Sequence, residues 1–214
     1  MNLINTLIQF FKTKSYFFLK IILAYLVFII SLQSWTKADD IKDFEIEGIS
    51  VGDSLLDHLS DVNIESGSKY TYPSSNKFYQ LNFWGFKNSK TYEHLTFLLK
   101  SDDKNYIIFG VTGYIDFQKN VNDCYIKEKE VIKNIKEILI NIEFESFGKM
   151  NKLIDKSGKS KITITQFYPD NGGTIKVSCH DWSTEWEKKG EVDSLSVAVA
   201  SKEAFDWFIN EAYK

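Results

Sequence analysis

The sequence predicts one α+β domain of two layers, a mainly antiparallel, twisted sheet with one long helix packed on it and a C-terminal helix. Three observations lead there. Several stretches alternate apolar and polar residues with period two, as in Tyr79-Gln80-Leu81-Asn82-Phe83, the mark of half-buried strands. One stretch instead repeats at helical spacing: Cys124, Val131, Ile135, Ile138 and Ile142 stand 7, 4, 3 and 4 apart. The residues after position 38 number 176, enough for one domain with its own core.

The chain opens differently. Residues 1–38 carry no acid, four lysines (Lys12, Lys14, Lys20, Lys37) and an apolar run from Ile21 to Leu32 interrupted only by Ser31. A positive flank, a short apolar core and small residues such as Thr36 and Ala38 are the parts of a secretory signal. Twelve helical residues span roughly 18 Å, short of a hydrocarbon core of about 30 Å. Extension back through Tyr16, Phe17 and Phe18 lengthens the span but buries Lys20. Two expectations stand: a leader removed on export to the periplasm or beyond, or an inner-membrane anchor through residues 16–35. Residues 39–214 form the extracytoplasmic domain in both.

That domain holds 22 lysines against 29 acids, a net charge of −7, and the chain has no arginine. Neutralising phosphates drives nucleic-acid binding, so the balance argues against a nucleic-acid partner. The absence of arginine also removes bidentate gripping of phosphate and carboxylate, although a Lys-, Asn- and Ile-rich chain without arginine also reflects an AT-rich genome.

In order along the domain, Phe44–Gly48 reads as a short strand and Ser50–Asp53 as a turn. Ser54-Leu55-Leu56-Asp57 has capping-box spacing, which predicts a short helix through Leu59 that fades by Asn63. Residues 65–76 read as a loop. Tyr79–Phe83 and Leu95–Leu99 are strands. The next strand places Ile107, Phe109, Val111, Ile115 and Phe117 on one face, with Tyr106, Ile108, Gly110, Thr112, Tyr114 and Asp116 on the other. Asn122 or Asp123 caps the long helix, whose Lys127, Lys129, Glu128 and Glu130 form a solvated side. After a polar linker, Ile162 and Ile164 begin a strand that turns at Pro169-Asp170-Asn171-Gly172-Gly173. The returning strand sets Ile175, Val177 and Cys179 against Lys176, Ser178 and His180. Leu195, Val197 and Val199 mark the last strand. Ser201 caps a helix with Phe205, Phe208, Ile209 and Ala212 inward.

Cys124 and Cys179 are the two cysteines. An even count in an oxidising compartment favours a disulfide over two buried thiols. A helix stripe holding Cys124, packed on a strand face holding Cys179, would bring them together.

No catalytic, cofactor or metal site emerges. Gly158-Lys159-Ser160 lacks the earlier glycine of a phosphate loop, since position 153 is Leu153, and a strand pattern follows it. His58, His94 and His180 have no helical zinc spacing. Cys179-His180-Asp181 sit on alternating sides of a strand, and a disulfide would remove the thiolate. No Gly-x-Ser-x-Gly elbow is present, and Asp170–Gly173 lacks the later glutamate of a calcium loop. One feature points to a partner: Phe78, Trp84, Tyr106 and Tyr114, with Ile108, fall on faces assigned outward. Aligned, they would form an aromatic surface for a protein or small ligand; otherwise a helix covers them. Trp182 and Trp186 form a second aromatic spot.

The run Asp43-Phe44-Glu45-Ile46-Glu47-Gly48-Ile49-Ser50-Val51-Gly52-Asp53-Ser54-Leu55-Leu56-Asp57 resembles a segment of uncharacterised small exported proteins of AT-rich marine alphaproteobacteria. Cys124 opening a lysine-rich helix, Asp155–Ser160 and Val177–Trp182 are similar too, so the likeness covers most of the domain. It implies export and the same two-cysteine arrangement, and it implies no activity. Gly48–Asp57 is also similar to the turn-and-helix openings of small envelope domains. The expected role is therefore non-enzymatic binding or structure in the periplasm or envelope. The alternatives are a membrane-tethered assembly factor and an enzyme with unrecognised residues.

Overall fold

Half-buried alternation needs a covered face and an open one, and the sheet supplies both. In the computed structural model, residues 41–214 are described apart from 87, 88, 119, 140 and 171, and the side chains at 61 and 62 are also left out. The expected leader or anchor at 1–38, with its apolar run, lies outside the described residues, as does Asn171 of the Pro169–Gly173 turn. Among the described residues no helix is long and apolar enough to cross a membrane.

Eight strands form one sheet: β1 (Ser68–Thr71), β2 (Phe78–Trp84), β3 (His94–Lys100), β4 (Ile108–Asp116), β5 (Glu143–Asn151), β6 (Lys161–Tyr168), β7 (Thr174–Asp181) and β8 (Ser194–Ala200). Their order is β1-β2-β3-β4-β8-β7-β6-β5, and every neighbouring pair is antiparallel. The sheet is thus two four-stranded meanders that meet where β4 pairs with β8. The helices are α1 (Asp61–Glu65), α2 (Val121–Ile138), α3 (Thr184–Glu187) and α4 (Lys202–Asn210). The long α2 carries the chain from β4 in the middle to β5 at the far edge.

The main core lies on one face. Leu95, Phe97, Leu99, Val111, Val177, Leu195 and Val197 point into it, covered by Cys124 and Ile135 of α2 and by Ile41, Ile46, Ile49, Val51, Leu55 and Ile64 of the preceding segment. The Cys124–Cys179 disulfide joins α2 to β7, with Cα atoms 6.0 Å apart across 55 residues of chain. Asn120, not Asn122 or Asp123, caps α2; its side chain accepts from the Asn122 N–H. Glu128, expected in solvent, is 6% exposed. It stands four residues after Cys124 and so fills the gap that the seven-residue step to Val131 had left. Thr163 Oγ1 donates to its Oε1 at 2.7 Å, and burial pushes its carboxyl up despite that bond. Ile138, expected in the stripe, is 54% exposed at the helix end.

On the reverse face α4 covers one end only, so the domain is two layers deep elsewhere. Ser201 caps this helix by accepting from the Ala204 N–H. Its inner side is Ala204 and Trp207, which with Ala212 just beyond the helix pack on Phe78, Leu98 and Tyr72, and Trp207 Nε1 donates to Ser75 Oγ at 2.9 Å. Ile209 points to solvent, and Phe205 is only half-buried, against the expectation for both. The buried stripe runs through 204 and 207 because Trp207 fills the corner between Tyr72 and Phe78.

Three other expectations change. A bulge pairs Leu98 with Gly110 and Leu99 with Ile108. One skipped residue flips every side chain before it, so Ile108 joins the main core and Phe109 the reverse side. Phe44–Gly48 is a tight turn rather than a strand: Ile46 and Ile49 exchange backbone hydrogen bonds, with Glu47 and Gly48 at φ 55° and 75°. The strands β1 and β5 replace an expected loop and linker. Both are sheet edges exposed along almost their whole length, so neither carries the alternation that reveals a strand.

Candidate functional site

Period-two alternation that sends Phe97, Val111, Val197 and Val177 to the core sends their neighbours to the half-covered face. One row across five strands reads Thr96, Thr112, Ala198, Lys176 and Gln166, fixed by the pairings Thr96–Thr112, Thr112–Ala198, Ala198–Lys176 and Lys176–Gln166. Central strand positions seldom carry so many polar groups unless that face meets water or a ligand.

The row floors a cavity of about 330 Å³. At one end α4 and the chain around it supply the walls, with Tyr72, Phe205, Phe208 and Tyr213 around Leu98 and Gly110. At the other end stand Tyr114, Ser196 and His180. Among the described residues the lining holds one lysine, one histidine and no acid. Lys176 is exposed by surface area, but that surface is the inside of the cavity. Protein around it pulls the ammonium below its ordinary value by desolvation. Among the described residues the Lys176 ammonium meets neither a carboxylate nor a hydrogen-bond acceptor. Ser178, on the same strand face, has a buried Oγ that is likewise unsatisfied among the described residues.

A chain of polar groups closes the far end. Lys152 Nζ lies 2.8 Å from His180 Nδ1, and His180 Nε2 lies 3.0 Å from Ser196 Oγ. Burial pushes Lys152 down to about 8, against the pull of Glu191 and Asp193, so it remains largely an ammonium at neutral pH. An ammonium only donates. His180 Nδ1 must therefore accept, Nε2 carries the proton, and Nε2–H donates to Ser196 Oγ. Burial first, then Lys152 and Lys176, push the imidazole down to about 3, so it is neutral. A serine nucleophile needs the opposite arrangement, a bare nitrogen facing its hydroxyl and a carboxylate behind. Asp181, next in sequence, points away and binds Lys149 Nζ and the Tyr125 hydroxyl, each at 2.8 Å. This chain delivers a hydrogen-bond donor to the cavity and withholds a base.

The four residues expected to form a partner surface separate. Phe78 is 1% exposed beneath α4. Tyr106 precedes β4 at φ 50° and packs on the main core. Both leave the surface because of α4 and the bulge. Trp84 and Tyr114 remain on the half-covered face with His94 stacked between them, at 4.4 Å and 4.6 Å between ring centres. Trp84 is 68% exposed. This stack and Trp182 border a second hollow that shares Tyr114 and His180 with the cavity. Lys152 Nζ sits 3.2 Å from the Trp182 ring centre, and Trp182 stacks on Trp186.

The remaining motif residues do structural work. His58 faces Asp53 at 3.6 Å. The Gly158-Lys159-Ser160 loop is tied by Asp155, whose carboxylate accepts from the backbone and hydroxyls of Ser157 and Ser160 at 2.6–2.9 Å. Those bonds hold it well below the usual carboxylate range. Among the described residues no three His, Cys, Asp or Glu side chains gather as metal ligands would. Sequence reasoning missed Lys176, Gln166, Ser196, Thr112 and Lys152. For the first four the available signal was polarity at outward positions of inner strands, with too little helix to cover them; Lys152, just beyond the edge strand β5, gave no such signal. No family model, curated protein or solved structure matches the chain.

Proposed function

We propose that residues 39–214 are an exported, non-enzymatic binding domain whose ligand occupies the half-covered face of the sheet. The observation that carries this reading is a cavity of about 330 Å³ floored by polar side chains, with a lysine that has no partner among the described residues. Ligand sites run from roughly 300 to 1,000 Å³, so the cavity suits a small molecule. The Lys152–His180–Ser196 chain favours binding over catalysis because it points a donor, not a base, inward. Export is supported by the residue pattern of 1–38 and by the Cys124–Cys179 bond, which an oxidising compartment maintains.

The test is native mass spectrometry of the protein purified without denaturant from cells that export it. A small molecule bound one to one and released on unfolding is expected. Ala198→Phe, which fills the middle of the cavity, should abolish that mass while leaving the fold intact. If the wild type carries no small molecule and takes none up from a cell extract, the reading is wrong. The intact mass also reports whether residues 1–38 remain, and their retention would favour the tethered alternative.

A further inference from the structure

The cavity has a charged end and an apolar end, and the two ends together define a ligand class. We infer that it holds a small amphipathic monocarboxylate, with its head between Lys176 and Ser196 and its apolar body beneath α4. The inference rests on reading the cavity as a ligand site and specifies what enters it.

The domain is strongly acidic, yet among the described residues no acid lines the cavity. An ammonium that lines a cavity with no acid and meets no protein counter-ion among the described residues favours an incoming anion over a neutral or cationic ligand. Lys176 pairs across the ladder with Ala198, and Ser196 is two residues further along that strand. Such diagonal neighbours lie ~7–8 Å apart, within reach of a long lysine side chain and a two-oxygen head group. Ser196 Oγ already accepts from His180 Nε2–H, so its own proton is free to donate. Ammonium and hydroxyl together match the two oxygens of one carboxylate. Phosphate and dicarboxylate groups ask for more donors, usually arginine forks, and the chain has no arginine.

The apolar end follows from α4. Phe205 and Phe208 are half-buried and both line the cavity, Phe208 while also packing on Tyr72 and Trp207. Two residues along a strand cover roughly 7 Å. The Gly110–Ala200 pair under α4 therefore stands one such step from the Lys176 row, and Ser196 one step beyond it. That distance fits a head group with a chain of several carbons.

The experiment is isothermal titration of the disulfide-bonded full chain with octanoate and with octan-1-ol, repeated on Lys176→Met and Lys176→Gln. Near-ultraviolet circular dichroism confirms that each variant is folded. Octanoate should bind the wild type and weaken at least tenfold in both variants, while octan-1-ol binding stays within twofold. Octanoate and octan-1-ol bound alike by wild type and variants would overturn the carboxylate assignment and leave the binding reading intact. A wild type that binds neither probe at about 15 or 35 °C yet takes up a small molecule from cell extract would overturn the carboxylate assignment alone, and one that takes up nothing would overturn both.

Discussion

Replacing His180 by glutamine should remove an acid sensitivity from the fold. In the folded protein burial, Lys152 and Lys176 push the ring from its ordinary 6.5 to about 3, whereas the unfolded chain binds a proton as soon as the pH drops below about 6.5. A neutral buried imidazole therefore contributes stability that is full above that point and drains away until the folded ring titrates. The slope approaches about 1.4 kcal/mol per pH unit, and integrating from pH 7 to pH 5 gives about 2 kcal/mol. Glutamine can accept from Lys152 and donate to Ser196 without titrating, so His180→Gln should lack this loss. Asp116 and Asp193, whose carboxyls burial pushes up, titrate in both proteins and cancel in the comparison. Urea unfolding followed by tryptophan fluorescence at both pH values supplies the difference. A gap below about 0.5 kcal/mol between the two proteins, or an imidazole in the folded wild type titrating near 6.5 by NMR, would refute the hydrogen-bond order Lys152–His180–Ser196.

Three other variants probe the architecture. Replacing both cysteines by alanine frees a loop of 55 residues, which should cost about 4 kcal/mol by chain entropy; a shift in urea midpoint worth under about 1 kcal/mol would show that the staple is dispensable. Phe78→Ala should destabilise by about 3–5 kcal/mol, because the ring packs on Trp207 under α4, while Trp84→Ala should stay within about 0.5 kcal/mol. Equal effects of the two on the melting curve would mean that the reverse face is not divided as described.

The fold was legible wherever one side of an element is buried and the other wet. Strands β2, β7 and β8 announced themselves by alternation and β3 by its short apolar run, and Cys179 opposite Lys176 and His180 gave the correct faces of β7. The edges were silent, since β1 and β5 have no dry side. The bulge at Leu98–Leu99 was invisible because skipping one residue leaves no compositional trace, yet it moved Ile108 and Phe109 to opposite sides. Glu128 was read as solvated by its charge, although its spacing from Cys124 places it inward. The candidate site was half legible. His180, Lys176, Tyr114 and Thr112 stood on the outward faces from the start, but only the sheet order brings β4, β8 and β7 side by side. Nor does local patterning reveal that α4 crosses to the reverse face and stops short of covering it.

Diffraction from crystals grown with ω-bromo-octanoate tests the central claim most directly, because bromine marks the tail of the ligand without ambiguity. The account predicts an anomalous peak beneath α4 near Phe205 and Phe208, with carboxylate density at hydrogen-bonding distance from Lys176 Nζ. Bromine at the His180 end, or a cavity filled only by water at saturating ligand, would contradict it.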